Sequence, residues 1–424
     1  MFKAIVSQKI FIMQGLLITF FIFSFASLCS CNKILKPTPK TTTFNVIKHG
    51  AVGDGLTDDS KAFLKAWRAA CAMKDGIGTI KVPRGKTFML KPLNFTGPCK
   101  FSSIHFMLEG KIVAPKSTDA WTEGQGKKRW ITFIGIDGLV MNGGGQINGN
   151  GYVWWKSGKD KSGKRPEALS FKNCNHLRLS WIHHLNSPMG HISINKCNNI
   201  TLSHLNINAP KSSPNTDGID IGASNHIVIR NCIIATGDDC ISMDNGTSNI
   251  IITNITCGPG HGISVGSLGK NGEYATVKNV YVSNCSFNGA SNGLRIKTWQ
   301  GGSGYVRNIT FKHIKFRNTI NPIIINQDYQ DIMTNGIKNQ THKSGLEITG
   351  VTYRDIKGTS GSKVAINLDC SSRKGCYDII MEDINITPVS SKSKPTASCN
   401  NAHGRATSVL PKVPCLLKKP LGFY

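Results

Sequence analysis

The chain has 424 residues, with 51 Lys and Arg against 24 Asp and Glu for a formal charge of +27, and 14 cysteines. That length can bury a large core, and one elongated repeat domain can use all of it; no Pro/Ser-rich linker divides Phe44 from Cys399. A surface this basic concentrates polyanions, but the chain has no nucleic-acid motif and no dense Arg with interleaved aromatics, and no Cys-x-x-Cys pair argues for zinc.

Residues 1–31 carry Lys3 and Lys9, an apolar run from Gly15 to Leu28, and small residues at Ser27, Cys29 and Ser30. This pattern predicts a cleaved secretory signal, since the run is short for a membrane span of about 20 residues. Residues 32–43, rich in Lys, Pro and Thr, read as a loose mature N-terminus. The strand Phe44–Ile47 and a Gly/Asp turn follow, and then Thr57-Asp58-Asp59-Ser60 is expected to cap a helix from Lys61 to Cys71. Phe63, Leu64 and Trp67 share a face of that helix, which suits a lid over the first coil of a solenoid. Asp58 and Asp59 are read as a helix N-terminus device, not as catalytic groups.

From Gly78 short strands alternate with Gly, Asn and Ser turns: Thr79–Val82, Ile104–Leu108, Lys111–Val113, Trp130–Ile134 and Leu139–Met141. An Asn or His followed by alternating apolar residues then recurs. The starts at Leu177, Ile200, Ile227, Ile250, Val280 and Ile309 are 23, 27, 23, 30 and 29 residues apart. Such intervals mark a repeat architecture, and about three short strands per coil predict an all-β, right-handed parallel β-helix over residues 44–390. Residues 391–424 are expected to form a tail held by a disulfide.

In a secreted chain disulfides are the default, and four short pairings are economical: Cys71 with Cys99, Cys240 with Cys257, Cys370 with Cys376, and Cys399 with Cys415. Cys174, Cys197, Cys232 and Cys285 sit beside Asn at coil turns and are expected to be buried free thiols. Asn-x-Ser/Thr sequons at Asn94, Asn199, Asn245, Asn254, Asn284, Asn308, Asn339 and Asn385 suit a glycoprotein.

The chemistry concentrates between Asn215 and Gly262. The same register returns in Asp217-x-Ile219-x-Ile221, Asp239-x-Ile241-x-Met243 and His261-x-Ile263-x-Val265, at intervals of 22 residues (239 − 217 and 261 − 239). An apolar pair at i and i+2 is a strand burying one face. Asp217, Asp239 and His261 should therefore stack as a column on adjacent strands about 4.8 Å apart, with Asp238 beside its middle member. Glycines at 218, 258, 260 and 262 leave room for a bulky ligand. One pulse further on, Arg295 and Lys297 alternate with Leu294 and Ile296, so both cations face the same cleft as the carboxylates. The plainer use of these cations would be pairing with Asp220 or Asp244.

At these residues the chain resembles the plant polygalacturonases of glycoside hydrolase family 28. The matching motifs are Ser213-Pro214-Asn215-Thr216-Asp217-Gly218, Gly237-Asp238-Asp239-Cys240, Gly258-Pro259-Gly260-His261-Gly262 and Arg295-Ile296-Lys297, supported by Asp54-Gly55-x-Thr57-Asp58-Asp59 and Asn186-Ser187-Pro188. The resemblance implies inverting, endo-type hydrolysis of α-1,4 links between galacturonic acids of pectin, during cell wall remodelling. Asp238 would be the general acid, Asp217 and Asp239 would activate water, and His261 would orient or tune the acid. Arg295, Lys297, Tyr329 and Asn215 would bind substrate, with no metal or other cofactor. Inversion requires room for water between acid and base, and crowded carboxylates raise one another's proton affinity.

Asn148 and Asn326 stand where the family usually has Asp, which should alter turn or subsite hydrogen bonds. Gln330 directly follows Tyr329 where plant members commonly carry a cysteine pair. The expected protein is an extracellular, cell-wall monomer that binds anionic polysaccharide, with no nucleic-acid partner and no membrane attachment after signal cleavage. Competing readings are an exo-acting enzyme, a rhamnogalacturonan or xylogalacturonan hydrolase, a calcium-dependent pectate lyase, and a non-catalytic pectin-binding wall protein.

Overall fold

The computed structural model describes residues 40–101, 103–121, 128–156, 165–329, 345–390 and 394–416. The expected signal, residues 32–39 and the sequon at Asn339 lie outside them. Within the unit Thr41–Tyr424 the described strands pair in parallel as a right-handed β-helix. An 11-stranded sheet among the described residues forms one face, and a 20-stranded sheet wraps the rest.

The long strands turn corners at single left-handed residues. In Asn225–Ala235, Ile227 and Ile229 face inward, Arg230 and Asn231 are both exposed, and Cys232 and Ile234 face inward again. Asn231 has φ 56°, a conformation that Asn tolerates better than most residues and that shifts the alternation by one. The recurrent Asn and His of the sequence occupy the same kind of position: His176, Asn199, His226, Asn249, Asn279 and Asn308 all have φ between 52° and 58°. Their side chains form a ladder from coil to coil. Asn279 Nδ2 donates to Asn249 Oδ1 at 2.9 Å, and Asn308 Nδ2 to Asn279 Oδ1 at 3.2 Å.

Parallel register stacks like upon like inside. Phe95, Phe133 and Phe171 pair in successive strands with ring centroids 4.8 and 5.3 Å apart. The adjoining column runs Leu169, Ile192, Ile219, Ile241, Ile263, Leu294. The helix Ser60–Cys71 closes the N-terminal end: Trp67 is 5.1 Å from Phe95 and donates to Thr96 O, while the Cys71–Cys99 bridge fixes the helix's last turn. All four expected disulfides are present, and Cys174, Cys197, Cys232 and Cys285 are buried thiols.

Three expectations are corrected. The first strand is Thr41–Asn45, and Val46–His49 is a 3-10 turn, because the Asn45 side chain accepts from Ile47 N and ends the strand. Only Asp58 serves the helix start, accepting from Ser60 N; Asp59 accepts from Val52 N and Gly53 N and pins the preceding loop. The coils also continue beyond residue 390. Thr396–Asn400 pairs with Val364–Asp369, and Ala402–Leu410 with Cys376–Pro388, so the stretch read as a tail supplies another coil, fastened by Cys399–Cys415.

The ladder gives a direct test. Asn279→Ala loses two hydrogen bonds and keeps a β-carbon at positive φ without the local polar compensation of Asn, a cost of about 1–2 kcal/mol, whereas Asn279→Gly loses the bonds but removes the β-carbon that the left-handed conformation disfavours. The thermal midpoint should fall further for Ala than for Gly; equal midpoints would remove the conformational part of this explanation.

Candidate active site

The site lies on the 11-stranded sheet. Ile219–Gly222, Ile241–Met243, Ile263–Leu268 and Asn292–Thr298 are consecutive in it, with Ile219 opposite Ile241, Ile241 opposite Ile263, and Ile263 opposite Leu294. Asp217, Asp239 and His261 each stand two residues before these isoleucines, so the 22-residue register places them in the expected column. Two close approaches fix the turns. A β-carbon on Gly237 would overlap Ser213 O, so only glycine lets the Asp238 turn lie against the Asn215 loop. Thr216 Oγ1 then accepts from Gly237 N at 2.9 Å. The Cys240–Cys257 bridge ties the strand after Asp239 to the one leading into the His261 turn.

Asp239 is the buried member, 1% exposed. Its Oδ1 accepts from Arg295 Nη2 at 2.5 Å and from Ser264 Oγ at 2.9 Å, and its Oδ2 from Lys297 Nζ at 2.8 Å. Burial alone would raise its carboxyl, but the Arg295 and Lys297 charges, with the Lys297 and Ser264 hydrogen bonds, outweigh burial and hold it below the usual range. The two cations thus face the cleft as expected, and their partner is Asp239 instead of Asp220 or Asp244.

Asp238, half-buried beside it, turns the other way. Its Oδ1 meets His261 Nδ1 at 2.7 Å and accepts from Asp239 N at 2.9 Å, and its Oδ2 accepts from Asn215 Nδ2 at 3.4 Å. Asp217 is pushed well above the usual carboxylate range, first by burial and then by the charges of Asp220, Asp238 and Asp239. Asp220 is raised to about 7, mainly by burial, against the opposing hydrogen bond from Ser242 Oγ. Burial therefore raises Asp217 and Asp220 while the Arg295 and Lys297 charges hold Asp239 low, so neighbouring acids differ in proton affinity.

Tyr329 packs at the far end of the column. Lys297 Nζ lies 5.4 Å from its ring centroid, and Trp299 meets it edge-on at 5.5 Å. Asn148 and Asn326 make turn hydrogen bonds, to Asn150 N and Asp328 N. Sequence reasoning weighed Asp220 only as a partner for the two cations, and missed Ser242, Ser264 and Arg165. The two serines were available from the outward column Ser193, Asp220, Ser242, Ser264, Arg295. Asp238, Asp239 and His261 have ligand atoms within 4.8 Å of one another, near enough to hold a metal ion. A cation there would sit against Arg295 and Lys297, whose charges already satisfy both oxygens of Asp239.

Residues 72–409 match the model of glycosyl hydrolases family 28. The chain belongs to glycoside hydrolase family 28. It is 52% identical over 378 residues to a probable polygalacturonase of Arabidopsis thaliana, covering 89% of this chain and 81% of that one. To polygalacturonase-2 of Solanum lycopersicum it is 44% identical over 366 residues, covering 85% and 78%. Among solved structures, endo-xylogalacturonan hydrolase of Aspergillus tubingensis superposes with a TM-score of 0.73 at 27% identity, over 86% of this chain and 96% of that one. The polygalacturonase of Erwinia carotovora ssp. carotovora shares the fold, with a TM-score of 0.66 at 21% identity over 86% and 96%. As a family 28 member the chain is a glycoside hydrolase.

The raised Asp220 makes a stability prediction. Its folded pKa of about 7 exceeds the unfolded value of about 4, so the folded state holds an extra proton between them. The stability this contributes is present below about pH 4 and is lost as pH rises to about 7. Asp220→Asn keeps an acceptor for Ser242 and removes the titration. Its thermal midpoint, relative to wild type, should therefore climb between pH 4 and pH 7 and then level; parallel curves would contradict the assignment.

Proposed function

We propose that this glycoside hydrolase cleaves α-1,4-galacturonosyl links of pectin with inversion, acting within the chain. The observation that carries the reading is the gathering of three carboxylates on one strand face, with Asp217 raised by burial and Asp239 held low by Arg295 and Lys297. Asp238, held by His261 and reaching the cleft, is the general acid that protonates the leaving oxygen. Asp239 remains ionised between Arg295 and Lys297, and Asp217, with its raised proton affinity, takes the proton of the attacking water. A base of raised proton affinity is more effective once ionised, and its neighbour's fixed negative charge favours that proton transfer.

Arg295 and Lys297 also suit the substrate's charge. Among the described residues, Arg295 donates to Ser264 and Asp239 and Lys297 to Asp239, leaving further donors of a five-donor guanidinium and a three-donor ammonium for a sugar carboxylate. Tyr329 and Asn215 flank the same column. The basic charge of +27 favours encounter with an acidic polymer. The N-terminal signal pattern and the sequons support secretion to the cell wall as a glycoprotein, and no helix among the described residues is long and apolar enough to cross a membrane. The likeness to an endo-xylogalacturonan hydrolase makes xylogalacturonan the second substrate to examine.

The test is reducing-end release from polygalacturonic acid, with viscosity followed in parallel. Wild type should release ends while viscosity drops early, and chelator should leave the rate unchanged. Asp238→Asn should lose about 10²–10⁴-fold in kcat. Binding without release by wild type would contradict the hydrolase assignment on this polymer, and loss of activity in chelator would contradict the metal-free mechanism.

A further inference from the structure

Arg165 is 5% exposed and precedes Glu167–Lys172, two strands from Ile219–Gly222 in the site sheet. A guanidinium stripped of water needs acceptors. One is the Asn215 side chain, whose Oδ1 accepts from Arg165 Nη2 at 2.7 Å. Asn215 in turn donates through Nδ2 to Asp238 Oδ2, and Asp238 Oδ1 meets His261 Nδ1.

The order of donors and acceptors along this chain is forced by chemistry. Arginine only donates, and Asp238 Oδ2 is the acceptor of the Asn215 amide. An Asn215 amide between them satisfies both only with its oxygen toward Arg165 and its NH₂ toward Asp238. The reverse orientation would set donor against donor at the Arg165 end. The backbone of Asn215 is already fixed: its φ is 51°, and the following Thr216 hydroxyl is hydrogen-bonded to both Ser213 and Gly237. The amide's rotation about its last torsion is the freedom that remains, and that torsion is broad and roughly two-fold.

We propose that Arg165 is a positioning residue for the reaction: it fixes the Asn215 amide so that its NH₂ faces Asp238. The proposal rests on Asp238 acting in glycoside hydrolysis as described above. Arg165 does not touch the reacting atoms in this role. It holds the orientation of the group that does contact the acid, and through it the direction in which the Asp238 carboxyl presents its free side to the cleft.

Two measurements test this, one independent of turnover. In crystals of Arg165→Gln the Asn215 amide should turn or take two orientations while the backbone of 213–218 stays in place; an unchanged amide still hydrogen-bonded to Asp238 would overturn the proposal. In kinetics on polygalacturonic acid, Arg165→Gln should lower kcat by about tenfold or more with KM within about twofold, and Arg165→Lys should recover part of the loss. The double variant Arg165→Gln/Asn215→Ala should be no slower than Asn215→Ala alone. A raised KM at unchanged kcat, or additive losses in the double variant, would overturn the positioning role. If Arg165→Gln unfolds, Arg165→Lys carries the same crystal and kinetic readings. An inactive wild type would count against the substrate reading alone, with the crystal result still deciding the role of Arg165.

Discussion

The parallel register of the site strands is the constraint on which the rest depends. Strands a coil apart sit about 4.8 Å apart, so residues spaced 22 apart become neighbours and residues 56 apart, Asp239 and Arg295, form a direct ion pair. A slip of one residue would exchange the inward Ile219, Ile241, Ile263 and Leu294 with the outward Asp220, Ser242, Ser264 and Arg295. The hydrophobic column therefore fixes the polar column of the cleft: packing and chemistry are two faces of the same strands.

The electrostatic arrangement follows from where each carboxylate falls on that scaffold. Asp239 is buried and would be untenable as an anion alone, because an unpaired buried charge is strongly unfavourable. Arg295 and Lys297, from the next strand but one, compensate it on both oxygens. Among the described residues Asp217 and Asp220 form no ion pair; burial raises both, the charges of neighbouring carboxylates add to it, and Lys297 offsets this only in part at Asp217. The result is a cleft whose acids differ in proton affinity, which a two-carboxylate hydrolysis uses. The disulfide below Asp239 and the glycine at 237 hold the turns close enough for these differences to persist.

Much of this was legible in the sequence because a solenoid converts sequence interval into spatial neighbourhood. The column of Asp217, Asp239 and His261, the facing of Arg295 and Lys297, the four disulfides and the buried thiols all follow from interval and alternation. The recurrent Asn and His were visible as coil markers, and the structure supplies their reason, a left-handed corner with a side-chain ladder. What sequence could not resolve depended on side-chain direction or on irregular backbone. The partner of Arg295 and Lys297 was such a case, since Asp220, Asp244 and Asp239 all lie within reach of that face. Arg165 was another, because it acts from outside the regular strand pulses. The strand Thr396–Asn400 was overlooked because its Ser, Lys and Pro-rich surroundings masked a short strand whose pairing comes wholly from the preceding coil.

In the proposed mechanism Asp238 protonates the leaving oxygen while water, activated by Asp217 beside the ionised Asp239, attacks from the opposite face. Proton NMR of the first galacturonan product, recorded faster than mutarotation, tests it most directly. The β-anomer should form first at the new reducing end, the inverted product of an α-linkage. An α-anomer appearing first would mean retention, and would contradict the assignment of these three carboxylates to acid and water-activating roles.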